Sequence, residues 1–81
     1  MLDKLYELWG NETQVVITIK SVGLNCDLVT VIEGIHKTDD TIILEFENNS
    51  MSLDTTGTYT CNDYEMNVTY KDATVTICWE V

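Results

Sequence analysis

The segment from Thr58 to Val81 alternates apolar and polar residues across two candidate turns, and that period of two leaves the chain few choices. With Asn62-Asp63 and Lys71-Asp72 as two-residue turns, Tyr64, Met66, Val68 and Tyr70 share one face of a middle strand. Across the second turn they stand opposite Trp79, Ile77, Val75 and Ala73. Across the first, Tyr59 is expected opposite Met66 and Cys61 opposite Tyr64. Thr58, Thr60, Glu65, Asn67, Thr69, Thr74, Thr76, Cys78 and Glu80 take the other face. A one-residue slip would turn every apolar group into water, so the pattern specifies its own pairing.

The preceding residues supply further elements. Met1 to Trp9 fits a short amphipathic helix with Leu2, Leu5, Tyr6 and Trp9 along one stripe and Gly10-Asn11 as its stop. Nine residues are too few to be helical alone, so this helix must dock. Gln14 to Lys20 alternates cleanly, with Val15, Ile17 and Ile19 inward. Ser21 to Asp27 reads as a connection. Leu28 to Ile35 is apolar on both faces, which predicts a central strand lying under the helix, with Glu33-Gly34 as a bulge or strand end. His36 to Asp40 reads as a polar turn. Thr41 to Glu47 reads as a strand with Ile42, Leu44 and Phe46 inward. Asn48 to Thr56 reads as a loop in which Met51 and Leu53 can form a short extended piece.

These elements predict a single domain over residues 1–81, in the α+β class and mainly β. A short N-terminal helix is followed by about five or six antiparallel strands joined as a meander of hairpins. Such a helix cannot cover so wide a sheet. The sheet is therefore expected to curl, to close into a small barrel, or to bury its apolar surface against a second copy.

Charge restricts function. Fourteen carboxylates against four lysines and no arginine give a net charge of −10. That exceeds the magnitude of roughly 2 to 8 that suits a small domain. The 44 % hydrophobic content still argues for a folded chain. A phosphate-binding face needs clustered Lys and Arg, and anionic membranes repel such a surface, which excludes direct nucleic-acid and membrane binding. No basic region leads into an apolar run at the N-terminus, and Cys26, Cys61 and Cys78 are odd in number and irregular in spacing. Both observations place the expected compartment in the cytoplasm, that of the host if the chain is phage-encoded.

No residue set spells out catalysis. His36 is the only histidine, with Asp39 or Asp40 as neighbours able to orient it and no nucleophile context beside them. Cys78, opposite Glu65, is expected to have a raised thiol pKa, the reverse of activation. Neither a zinc nor a calcium-loop spacing occurs, so no metal or cofactor is expected. Gly57-Thr58-Tyr59-Thr60-Cys61 resembles strand F of immunoglobulin domains. The only earlier cysteine, Cys26, lies too close upstream with no tryptophan between, so the match is read as coincidence.

The carboxylates remain. Glu45 and Glu47, two apart on one expected strand, would stand roughly 7 Å apart, about the spacing of every second phosphate along a DNA strand. Glu65 and Glu80 on the polar face of the hairpins and Asp39, Asp40, Asp54, Asp63 and Asp72 in the turns extend the acidic surface, and an accessible Trp9, Tyr6 or Trp79 can anchor it. In composition the chain resembles small acidic phage inhibitors of nucleases and CRISPR effectors, and immunity proteins. The expectation is a non-enzymatic inhibitor that occupies the basic, nucleic-acid-binding surface of a partner such as a nuclease or CRISPR effector. The alternative is a self-assembling small β protein, a homodimer for example, whose charge serves solubility.

Overall fold

The structure, a computed structural model, describes residues 2–79. A helix, α1 (Leu2–Gly10), precedes eight strands: β1 (Gln14–Ser21), β2 (Leu24–Val31), β3 (Gly34–Lys37), β4 (Thr41–Glu45), β5 (Ser50–Asp54), β6 (Thr58–Cys61), β7 (Glu65–Thr69) and β8 (Ala73–Trp79). They form a five-stranded sheet in the order β2-β1-β8-β7-β6 and a three-stranded sheet in the order β3-β4-β5. Every pairing is antiparallel. The fold is mainly β with one short helix, as expected. Neither sheet closes into a barrel, and the strands number eight rather than about six.

The inner faces meet in one core. Val15, Ile17, Met66, Val75, Ile77 and Trp79 come from the large sheet, Ile35, Ile42, Leu44 and Leu53 from the small one, and Leu5 and Leu8 from the helix. Burying side chains of this size is worth about 1.5–3 kcal/mol each, which fixes which face of each strand turns inward. On β8 the alternation runs without a break from Val75 to Trp79.

The β7–β8 register is the expected one, with Met66 opposite Ile77 and Val68 opposite Val75. The preceding hairpin is shifted by two residues: Tyr59 faces Val68 and Cys61 faces Met66, with Asp63-Tyr64 as the turn. The cause is local. The Asn62 side-chain oxygen accepts hydrogen bonds from the backbone N–H groups of Tyr64 (3.0 Å) and Glu65 (2.9 Å), so Asn62 caps the turn from outside it. A shift of two keeps the β6 and β7 side chains on their expected faces, but Tyr64, expected inward, falls in the turn and is exposed.

Leu28 to Ile35 is not one central strand. Leu28 to Val31 ends β2, an edge strand, and Ile32-Glu33 crosses to the small sheet, where Gly34 begins β3. Its apolar residues look two-faced because they serve two different sheets. Ser21 to Asp27 is mostly strand, turned at Val22-Gly23, where Gly23 takes a φ of 74°. Cys26 therefore sits in β2. His36 belongs to β3, and β4 stops at Glu45. Ser50 to Asp54, read as loop with a possible extended piece, is a full strand paired with β4.

The helix stripe is also rotated. Leu5 and Leu8 are buried, whereas Tyr6 and Trp9 are exposed with ring centroids 6.1 Å apart. The helix ends in a 6→1 bond from Thr13 N–H to Leu8 C=O (3.1 Å) and a bond from Glu12 N–H to Trp9 C=O (3.1 Å). Glu12, at φ 51°, takes the left-handed position instead of Gly10 or Asn11.

A candidate acidic interface

The crossing into the small sheet and the three strands that follow gather the acidic groups. Residues 33–54 hold six carboxylates (Glu33, Asp39, Asp40, Glu45, Glu47 and Asp54) against Lys37 alone, a net −5 out of the chain's −10. All six are exposed. Alternation contributes: Ile35, Ile42, Leu44 and Leu53 take the inward positions, leaving the outer face and the turns to mostly polar residues, with Ile43 between His36 and Ser52 the apolar exception.

The sites expected from sequence distribute unevenly. Asp39 and Asp40 form the β3–β4 turn, and the Asp40 carbonyl accepts from Thr55 N–H (2.9 Å) and Oγ1 (3.2 Å). Glu45 ends β4, and its carboxylate lies over Gly34, where an added Cβ would meet Oε2 at 2.8 Å. It reaches His36 Nε2 at 2.9 Å, so the partner of His36 is Glu45 across the ladder, not Asp39 or Asp40. Glu47 falls in the β4–β5 turn. The expected row of Glu45 and Glu47 along one strand does not form, and they stand at the opposite end of β4 from Asp39 and Asp40.

Glu65 is elsewhere, half-buried on the outer face of the large sheet beside Cys78, whose Sγ lies 3.8 Å from Oε2. Burial first, and then the Glu65 carboxylate, push the Cys78 thiol pKa up, as the sequence reading expects. Glu80 lies outside the described residues. Trp9 is available at the surface. Trp79 is a core residue: its Nε1 donates to the Asp63 carbonyl (3.1 Å), and Lys4 Nζ sits 5.0 Å from the ring centroid.

Glu33 is the member that sequence reasoning did not single out; it was hidden inside an apparent central strand, and a running charge count over residues 33–54 would have found it. Asp54, expected among the acidic turn residues, lies at the end of β5. Asp54 is also structural. Thr56 N–H and Oγ1 each donate to its Oδ1 at 2.8 Å, lowering the carboxyl pKa, and the Tyr70 hydroxyl donates to its carbonyl at 2.8 Å. Next to it, Gly57 lets the chain pass Tyr70 and Val68, where a Cβ would come within 2.8 Å of each.

Few other chemistries fit. A cleft of about 390 Å³ is lined by Thr13, Gln14, Val16, Cys78 and Trp79, and the thiol at its wall is the one whose pKa is raised. Among the described residues, no group of three or more His, Cys, Asp or Glu converges as a metal site, and no helix is long and apolar enough to cross a membrane. What is defined is a small, mainly β protein with an acidic three-stranded sheet on one side. The chain matches no known family model, no curated protein and no solved structure.

Proposed function

We propose that the protein is a non-enzymatic acidic binding protein that occupies a basic surface of a nucleic-acid-binding partner and competes with the nucleic acid for it. The observation that carries this reading is the concentration of six exposed carboxylates against one lysine along residues 33–54, the small sheet and its turns. Such a patch attracts clustered Lys and Arg and steers encounter, raising association rates by 10- to 10³-fold at low salt. Charge alone gives little affinity, so aromatic anchors are needed. Tyr6 and Trp9 are exposed on α1, which packs against β3 of the acidic sheet, so charge and anchor lie on neighbouring elements. The nuclease and the CRISPR effector are the partner types this chemistry suits.

The test is capture from lysate across a salt series, with and without competing DNA, followed by association kinetics with the captured protein. Recovery should fall with salt and with DNA. The double variant Glu45→Lys, Glu47→Lys should associate about tenfold more slowly at low salt while folding normally. Recovery indifferent to both salt and DNA rejects the reading.

A further inference from the structure

The longest strand edge among the described residues is bare. β2 is eight residues long, and among the described residues no strand pairs with its outer side. The closing pair Ser21–Leu24 sets the hydrogen-bond parity. Leu24, Cys26, Leu28 and Thr30 direct their backbone groups to β1. Asn25, Asp27, Val29 and Val31 direct theirs outward. Natural edges are guarded by lysine, proline, bulges or brevity. β2 has an unbroken register, no lysine, no proline and one charge, Asp27, in a chain otherwise crowded with carboxylates. Among the described residues seven large apolar side chains stand exposed, and four of them (Val16, Val22, Leu24 and Val29) belong to the β1–β2 hairpin.

We propose that β2 is a homodimer interface, pairing antiparallel with β2 of a second copy about a twofold axis at Leu28. This register sets Asn25 opposite Val31 and Asp27 opposite Val29 of the other copy, so all four outward-facing residues are paired, with about eight hydrogen bonds. Centring on Asp27 would oppose two carboxylates, and centring on Val29 would lose a pair. Leu28 then faces its counterpart directly on the inner side. There an apolar cavity of about 180 Å³, lined by Ile17, Ile19, Cys26, Leu28, Phe46 and Met51 among others, opens beside β2. The second copy's Leu28 roofs it. A second copy suits this edge because it offers the same weakly charged strand, while the acidic patch of residues 33–54 stays on another sheet.

Sedimentation equilibrium of the full chain, at low and high salt, reads the association directly. Two copies at −10 repel, so the dimer should tighten as salt is raised, opposite in sign to binding of a basic partner. Val29→Glu places carboxylates opposite Asp27 twice and should weaken the dimer roughly two- to thirtyfold, whereas Val29→Lys should hold or tighten it. A parent that stays monomeric at every concentration overturns the proposal. So does a dimer that Val29→Glu leaves unchanged, or one that both variants weaken alike. Should Val29→Glu fail to fold, Leu28→Cys in a chain whose native cysteines are serine gives a second reading. A non-hydrogen-bonded pair with Cα atoms about 4.5 Å apart can form a disulfide. A crosslinked dimer under mild oxidant supports the register, and monomer only rejects it.

Discussion

Asp54 and Tyr59 give the molecule two pH limbs of opposite sense. Hydrogen bonds from Thr56 N–H and Oγ1 lower the Asp54 carboxyl pKa below its ordinary 3.8. The stability that this provides is present above that value and lost as pH falls through the lowered one. Burial, with Cys61 and then Asp3 adding to it, pushes Tyr59 up to about 12 from 10.0, so its contribution is present below pH 10 and lost as pH climbs toward 12. Melting temperature against pH should therefore show a shallower acid limb for Asp54→Asn and a shallower alkaline limb for Tyr59→Phe. Unchanged limbs would assign both to other groups. The Cys78–Glu65 contact was legible in the sequence because the β7–β8 turn sets that register and the structure keeps it. The same register placed Trp79 on the inward face; its contacts with Asp63 and Lys4 were not legible, because they come from a turn and a helix that no local pattern connects.

Among the elements, α1 carries an avoidable strain. Its stop uses Glu12 in the left-handed region, where an L side chain costs roughly 1–2 kcal/mol that glycine avoids, offset in part by the greater freedom of glycine in the unfolded chain. Glu12→Gly should therefore stabilise the protein by about 1 kcal/mol, a rise of roughly 4–8 °C in melting temperature for a domain this size. A fall instead would mean that the Glu12 side chain itself holds the connection to β1. The strongly alternating strands β1, β7 and β8 were readable from sequence because inward positions on one sheet repeat every second residue. Leu28 to Ile35 was not, since its apolar residues are divided between two sheets by the crossing at Ile32-Glu33. The acidic residues were more legible: Asp39, Asp40, Glu45, Glu47 and Asp54 stood out as turn or outward positions, while Glu33 depended on where β2 ends and β3 begins.

For the molecule as a whole, a net charge of −10 without arginine opposes compaction. The melting temperature should rise between low and moderate sodium chloride as the screening length falls from about 30 Å at 0.01 M to 10 Å at 0.1 M. Charge reversal at Glu45 and Glu47 should reduce that rise, and a salt-independent melt would show that the carboxylates are too far apart to repel. The large sheet has another property at this scale: β8 lies between β1 and β7, so Ser21 meets Ala73 and Val15 meets Trp79. Closing roughly fifty to sixty residues of chain must precede that pairing, which puts folding toward the millisecond-to-second end of the range. During synthesis the β1–β2 hairpin emerges long before its central neighbour and waits with both of its edges open. The time for which newly made chains are exposed to aggregation is therefore set by the arrival of β8, which is made after every other strand of its sheet.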